Sequence, residues 1–151
     1  VIIEIAGSTL LTVAAGVWIG AIVFQSAIVA PTVFVDLDES AARGFLRRLF
    51  PRFFKLGLVC GGLMLAGLAL AGFDMPQGRA IAALTVVMLV LEAASLWMVS
   101  AINAARDAGA AGKARFDRLH RLSVLFTVLI LVLGIAVIGL VSAGRPPLPG
   151  A

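Results

Sequence analysis

From Ile5 to Val35 the chain runs 31 residues without a charged side chain. An α-helix needs only ~20 apolar residues to cross the hydrocarbon core of a bilayer. Three more such runs follow. Leu56 to Phe73 is charge-free and extends back through Phe53 and Phe54 if Lys55 snorkels to the interface. Ala80 to Ala105 is interrupted only by Glu92 among charged residues, and Leu122 to Gly144 carries no charge. Helices satisfy every backbone group internally, as lipid requires. The reading is an all-α integral membrane protein: one membrane domain over 1–151, with transmembrane helices at about 7–31, 53–73, 79–103 and 120–143. At 62% hydrophobic and 13% charged, the composition leaves too little polar surface for a soluble chain of 151 residues.

The distribution of charge gives an orientation. Arg43, Arg47, Arg48, Arg52 and Lys55 fall in the first connection, and Arg106, Lys113, Arg115, Arg118 and Arg121 in the third; only Arg79 and Arg145 fall on the other side. This bias predicts that both connections are cytoplasmic and both termini are not, in a bacterial-type inner membrane. The net charge of +4 is therefore a topology signal rather than a nucleic-acid signal. The chain starts with Val, so the encoded N-terminus is expected to lie further upstream. The second connection, GFDMPQGR, reads as a tight turn, and the tail AGRPPLPGA as extended.

Within the first connection, Phe45, Leu46, Leu49, Phe50 and Phe53 recur at helical spacing and are flanked by the five basic residues. Asp36 or Asp38 can cap the start, and Pro51 breaks the backbone ladder. The pattern predicts a separate amphipathic helix over about 38–51, lying in the headgroup plane, with Pro51 bending the chain into the second span. Arg43, Arg47, Arg48, Arg52 and Lys55 would then meet anionic lipid headgroups, at about 1 kcal/mol each. Gly16 with Gly20, and Gly57 with Gly61, form GxxxG pairs expected to serve packing within the bundle. Gly109 and Gly112 make the third connection flexible, with the fourth helix beginning at Phe116.

Glu92 is the most costly residue, near the middle of the third span with no basic residue at its depth. It is expected either to be neutral and hydrogen-bonded to another helix, or to form a proton- or cation-responsive site. At 1.5 Å per residue, Gln25, Ser95 and Thr127 reach one polar layer in the inner half. Glu92, Ser95 and Asn103 share a face of the third span, and His120, Ser123 and Thr127 a face of the fourth. The layer either fixes helix register or lines a small hydrated cavity opening inward. His120 is the only histidine and Cys60 the only cysteine, so a haem or metal site has few donors; no cofactor is predicted. CxxC, HExxH, a phosphate-binding glycine loop and a nucleophile elbow are all absent from the sequence.

Several of these stretches resemble a known family. Trp18–Phe24 (WIGAIVF) with Val29–Phe34 (VAPTVF) resembles the first-span signature of transmembrane protein 205-like proteins, catalogued under a domain of unknown function. Arg48–Phe54 (RLFPRFF) resembles the start of that family's second span, Ile102–Arg106 (INAAR) the end of its third, and Phe116–Ser123 (FDRLHRLS) the start of its fourth. Thr127 stands where the family pattern has Asn, and the aromatic and proline expected after Asn103 are not recognisable. The resemblance implies a four-helix membrane protein, with some members linked to drug tolerance, and no settled reaction. A more distant similarity is to four-helix membrane proteins handling copper or haem.

Three functions follow as expectations. The first is a non-enzymatic accessory or scaffolding subunit, partnered by a larger membrane assembly or by a second copy of itself. The second is a small transport or ligand-binding protein in which Glu92 responds to protons or cations and Gln25, Ser95, Asn103, His120 and Thr127 line the path. The third is a haem- or metal-dependent redox protein using His120.

Overall fold

The computed structural model describes residues 1–72 and 77–144. Residues 73–76 of the turn expected over GFDMPQGR, and the tail from Arg145 onward, lie outside them. The described residues form helices α1 (Ile2–Phe24), a five-residue π-helical turn (Gln25–Val29), α2 (Ala30–Asp36), α3 (Glu39–Ala71), α4 (Gly78–Asp107), a short 3-10 turn (Gly109–Gly112) and α5 (Lys113–Ala143). α1, the π turn and α2 make one continuous 35-residue rod, so four rods are each long and apolar enough to cross a membrane. The chain is an all-helical, multi-pass integral membrane protein.

Around the bundle α1 packs on α3, α3 on α4, α4 on α5, and α5 back on α1. The core is apolar and continuous: Leu11, Trp18 and Ile22 of α1 meet Met64 and Leu68 of α3, Ile81 and Met88 of α4, and Ile130 and Val137 of α5. The outer face is apolar too, with Val13, Val90, Val132 and Trp97 exposed. A chain with apolar residues on both faces is folded for a lipid solvent.

One expectation is overturned. The stretch 38–51 is not a separate interfacial helix; it is the first part of α3, which runs unbroken for 33 residues with Pro51 inside it. Asp38 starts this helix, its Oδ1 accepting from the Ala41 backbone N–H at 2.9 Å. Most of the apolar stripe read as lipid-facing is covered by protein, with Phe45 left exposed. Leu46 and Ala42 form a buried cluster with Val33 of α2, and Leu49 and Phe50 pack against it. Phe50 stacks on Phe54 at 5.9 Å, bridging the turn that holds Pro51. Proline removes one backbone donor, and packing on both sides of it carries the helix through. At 1.5 Å per residue α3 is about 50 Å long, well beyond the ~30 Å hydrocarbon core, so part of it extends past the apolar layer.

Glycine usage also differs from expectation at one pair. Gly57 and Gly61 of α3 do face the interior, where a Cβ would meet Trp18, Glu92 or Leu89; Gly16 and Gly20 of α1 face outward with nothing within 4 Å. A contact not anticipated in the sequence is Gly7 of α1 against Gly67 of α3, where a Cβ on Gly67 would lie 2.7 Å from the Gly7 carbonyl oxygen. The third connection is a 3-10 turn, entered through Gly109 at φ +59°, with α5 beginning at Lys113. Gly112 lies so close to the Ala105 carbonyl that a side chain there has no room.

Candidate functional site

The helices are tightly packed at the Gly7–Gly67 end and enclose a cavity of about 510 Å³ at the other. Its walls come from all four rods: the π turn and α2, the first part of α3, the last part of α4 and the first part of α5. A volume of this size fits a small organic molecule.

The π turn explains one wall. Pro31 sits in the first turn of α2 and lacks a backbone N–H. In a plain α-helix its ring presses on the carbonyl four residues earlier. The wider π turn just before it relieves that clash, and such turns recur at functional sites. Gln25 opens the π turn and Ser26 follows, and both line the cavity. Gln25 is only 7% exposed. Among the described residues its side chain makes no hydrogen bond to protein, and neither do those of Asn103 and His120. Its amide is not among the polar atoms shut in without a partner, so Gln25 presents hydrogen-bonding groups that are open to the cavity.

Of the polar residues singled out from the sequence, Gln25, Asn103, His120, Ser123 and Thr127 come together around this one space. Thr127 Oγ1 donates to the Ser123 carbonyl at 3.0 Å. Ser95 and Glu92 do not line it. Ser95 is fully buried one turn deeper and donates to the Leu91 carbonyl at 2.9 Å. Glu92, 2% exposed, closes on Gly57 together with the Trp18 indole; a Cβ on Gly57 would meet Trp18 Nε1 at 2.6 Å and collide with the Glu92 carboxyl. Trp18 Nε1 and Glu92 Oε1 are both buried without a hydrogen-bond partner among the described residues.

Of the five basic residues in the first connection, Arg43 and Arg47 reach the cavity, whereas Arg48, Arg52 and Lys55 are exposed and do not line it. Arg43 pairs with Glu39, and Arg47 with Asp107 of α4, each at 2.6 Å. The sequence reading missed Arg106 as a site residue. Its guanidinium lies 4.5 Å from the Phe116 ring centroid, and Phe116 stacks on His120 at 5.5 Å. The clue was the one-turn spacing of Phe116 and His120, which puts both rings on one face. Also missed were the apolar walls, chiefly Phe34, Phe50, Phe53 and Phe54.

No cluster of three His, Cys, Asp or Glu side chains that would suit a metal occurs among the described residues. His120 has an arginine and a phenylalanine as neighbours, and Cys60 is buried in the core on another helix. This donor set does not fit haem or a metal ion.

A family model described as a domain of unknown function (DUF4149) matches residues 13–111, and the chain belongs to that family. This is the domain linked to the transmembrane protein 205-like membrane proteins that the sequence resembles. The match begins about midway along α1, ends within the 3-10 turn and stops short of the Phe116–Ser123 motif. No curated protein and no solved structure matches the chain.

Proposed function

We propose that this DUF4149 member is a small-ligand-binding membrane protein whose site is the cavity at its arginine-rich end. The observation that carries this reading is Gln25: nine-tenths buried, unpartnered among the described residues, and directed at a 510 Å³ space. Asn103, Ser123, Thr127 and His120 supply further polar positions from two other helices. Glu92 has no part in the path in this reading, because it stands away from the lining; it acts as an internal polar group opposite Trp18.

Native mass spectrometry of protein extracted in mild detergent tests it. The wild type is expected to carry a non-covalent small molecule that Thr127→Trp, which fills the cavity, releases while the protein stays helical. Equal occupancy of the two proteins would remove the reading.

The charge asymmetry supports a cytoplasmic position for the cavity mouth in a bacterial-type inner membrane, with both termini on the opposite side. The exposed Arg48, Arg52 and Lys55 then meet anionic headgroups. A cysteine placed at Ala111 in a Cys60→Ala background should resist an impermeant thiol reagent in intact cells and react after lysis. Labelling from outside would reverse the assignment.

An accessory-subunit role has one observation in its favour, the outward-facing Gly16 and Gly20 with nothing within 4 Å. Small residues of this kind let a second helix approach closely. A cysteine at Gly20 that formed no oxidative cross-link, to itself or to another protein, in native membranes would leave that role without support.

A further inference from the structure

The cavity has a chemical polarity that narrows its ligand. Its body is apolar, built from Phe50, Phe53 and Phe54 of α3 with Val99 and Ile102 of α4. Its rim is cationic, with Arg43, Arg47 and Arg106, and His120 stands beside them. The rim also has two carboxylates nearby: Glu39 holds Arg43, and Asp107 holds Arg47. Neither comes within salt-bridge distance of Arg106, although the charge of each acts on it. Among the described residues Arg106 has no carboxylate within salt-bridge distance, only the face of Phe116. A guanidinium presents five N–H donors in a fixed fork suited to carboxylate and phosphate. Arg106 therefore offers an open anion-binding position at the edge of an apolar chamber.

The opening of that chamber indicates where the ligand comes from. Outside their own rod, the π turn and α2 meet α3 through Val29 and Val33 and make no close backbone approach to α5. Both sides of the resulting gap line the cavity: Phe34, 65% exposed, on α2, and Val124 and Val128 on α5. A side opening with apolar edges, at the end of helices that stand in a bilayer, leads to lipid rather than to bulk water.

We infer that the cavity binds an amphiphilic anion, a molecule with one carboxylate or phosphate head and an apolar body, which enters sideways from the bilayer between α2 and α5. The head sits at Arg106, assisted by Arg43; the body lies against the α3 phenylalanines; Gln25 hydrogen-bonds to a polar atom further in. This rests on the ligand-binding reading and adds the ligand's charge and its route. Two sources supply that chemistry: a free single-chain amphiphile and an anionic bilayer lipid.

The test uses the intact chain in maltoside micelles, with dissociation constants measured for five probes. These are dodecanoate and dodecyl phosphate, the neutral methyl dodecanoate, inorganic phosphate, and phosphatidylglycerol. The inference expects at least one of the charged amphiphiles to bind about tenfold or more tightly than methyl dodecanoate, and inorganic phosphate to bind weakly. Arg106→Gln should abolish the charge preference without weakening methyl dodecanoate, and Arg106→Lys should restore part of it. Arg43→Gln serves if Arg106→Gln does not fold. Preference for dodecanoate or dodecyl phosphate assigns a free amphiphile, and preference for phosphatidylglycerol a membrane lipid; either supports the inference. If methyl dodecanoate bound as tightly as the anions, the charge assignment would fall while the cavity reading stood. If inorganic phosphate matched dodecyl phosphate, the apolar chamber would have no part. Failure of every probe, with Thr127→Trp behaving like wild type, would overturn both readings.

Discussion

At the scale of single residues, Gly57 shows how a polar group is accommodated in the middle of this bundle. With no side chain on α3 at that point, the Trp18 indole from α1 and the Glu92 carboxyl from α4 meet across the core. Both atoms are buried without a hydrogen-bond partner among the described residues, so the space left by the missing Gly57 side chain is what accommodates them. Gly57→Ala puts a methyl group into that space and forces the carboxyl and the indole apart. The expected loss is about 1–3 kcal/mol of unfolding free energy, the usual range for overpacking a filled core. Gly20→Ala adds the same methyl to an outward face with nothing within 4 Å, and should stay within about 0.5 kcal/mol. Thermal unfolding in detergent compares the two directly. Equal effects would mean that Gly57 is not a close contact.

At the scale of elements, the informative case is α3. Its stripe of Phe45, Leu46, Leu49, Phe50 and Phe53 does not end at Pro51 as a separate helix would, and a stripe does not say whether lipid or protein covers it. Here Val29 and Val33 cover it, beside the π turn whose local cue, Pro31, does not by itself say which neighbour the turn will face. Depth was easier to read. Helical rise is fixed, and counting puts Gln25, Ser95 and Thr127 in one layer; Gln25 and Thr127 line the cavity and Ser95 does not. The same counting could not separate them from Ser95, one turn away from Val99 at the cavity wall, because the boundary is set by where helices diverge. A continuous α3 makes its own prediction. Asp38→Ala removes the side-chain cap of the whole 33-residue helix and should cost about 1 kcal/mol. Pro51→Ala restores a backbone donor in mid-helix and should be neutral or stabilising by denaturant or thermal unfolding. A separate surface helix turned by Pro51 would instead be disrupted by that alanine.

At the scale of the whole molecule, the closed end and the open end are two parts of one arrangement. α1 and α3 touch backbone to backbone at Gly7 and Gly67, where a Cβ on Gly7 would lie 2.6 Å from the Gly67 carbonyl oxygen. That crossing holds the first two rods together at one end. At the other, α2 stays on α3 through Val33, Ala42 and Leu46 but leaves α5, and the cavity occupies the space between. The two close glycine sites differ in what they touch. Gly57 faces the ends of two side chains, which can rotate; Gly67 faces the Gly7 carbonyl and the Leu11 backbone nitrogen, each 2.7 Å from a Cβ. Backbone in a packed helix cannot move aside without separating the rods. Gly67→Ala is therefore expected to be more destabilising than Gly57→Ala, at or above the ~3 kcal/mol upper range for an added methyl. Because it lies at the end remote from Arg106 and Gln25, any folded Gly67→Ala protein should unfold at lower temperature yet keep the preference for charged amphiphiles. If Gly67→Ala melted like wild type, the helices would not cross in contact there, and the account of why the opposite end stands open would lose its cause.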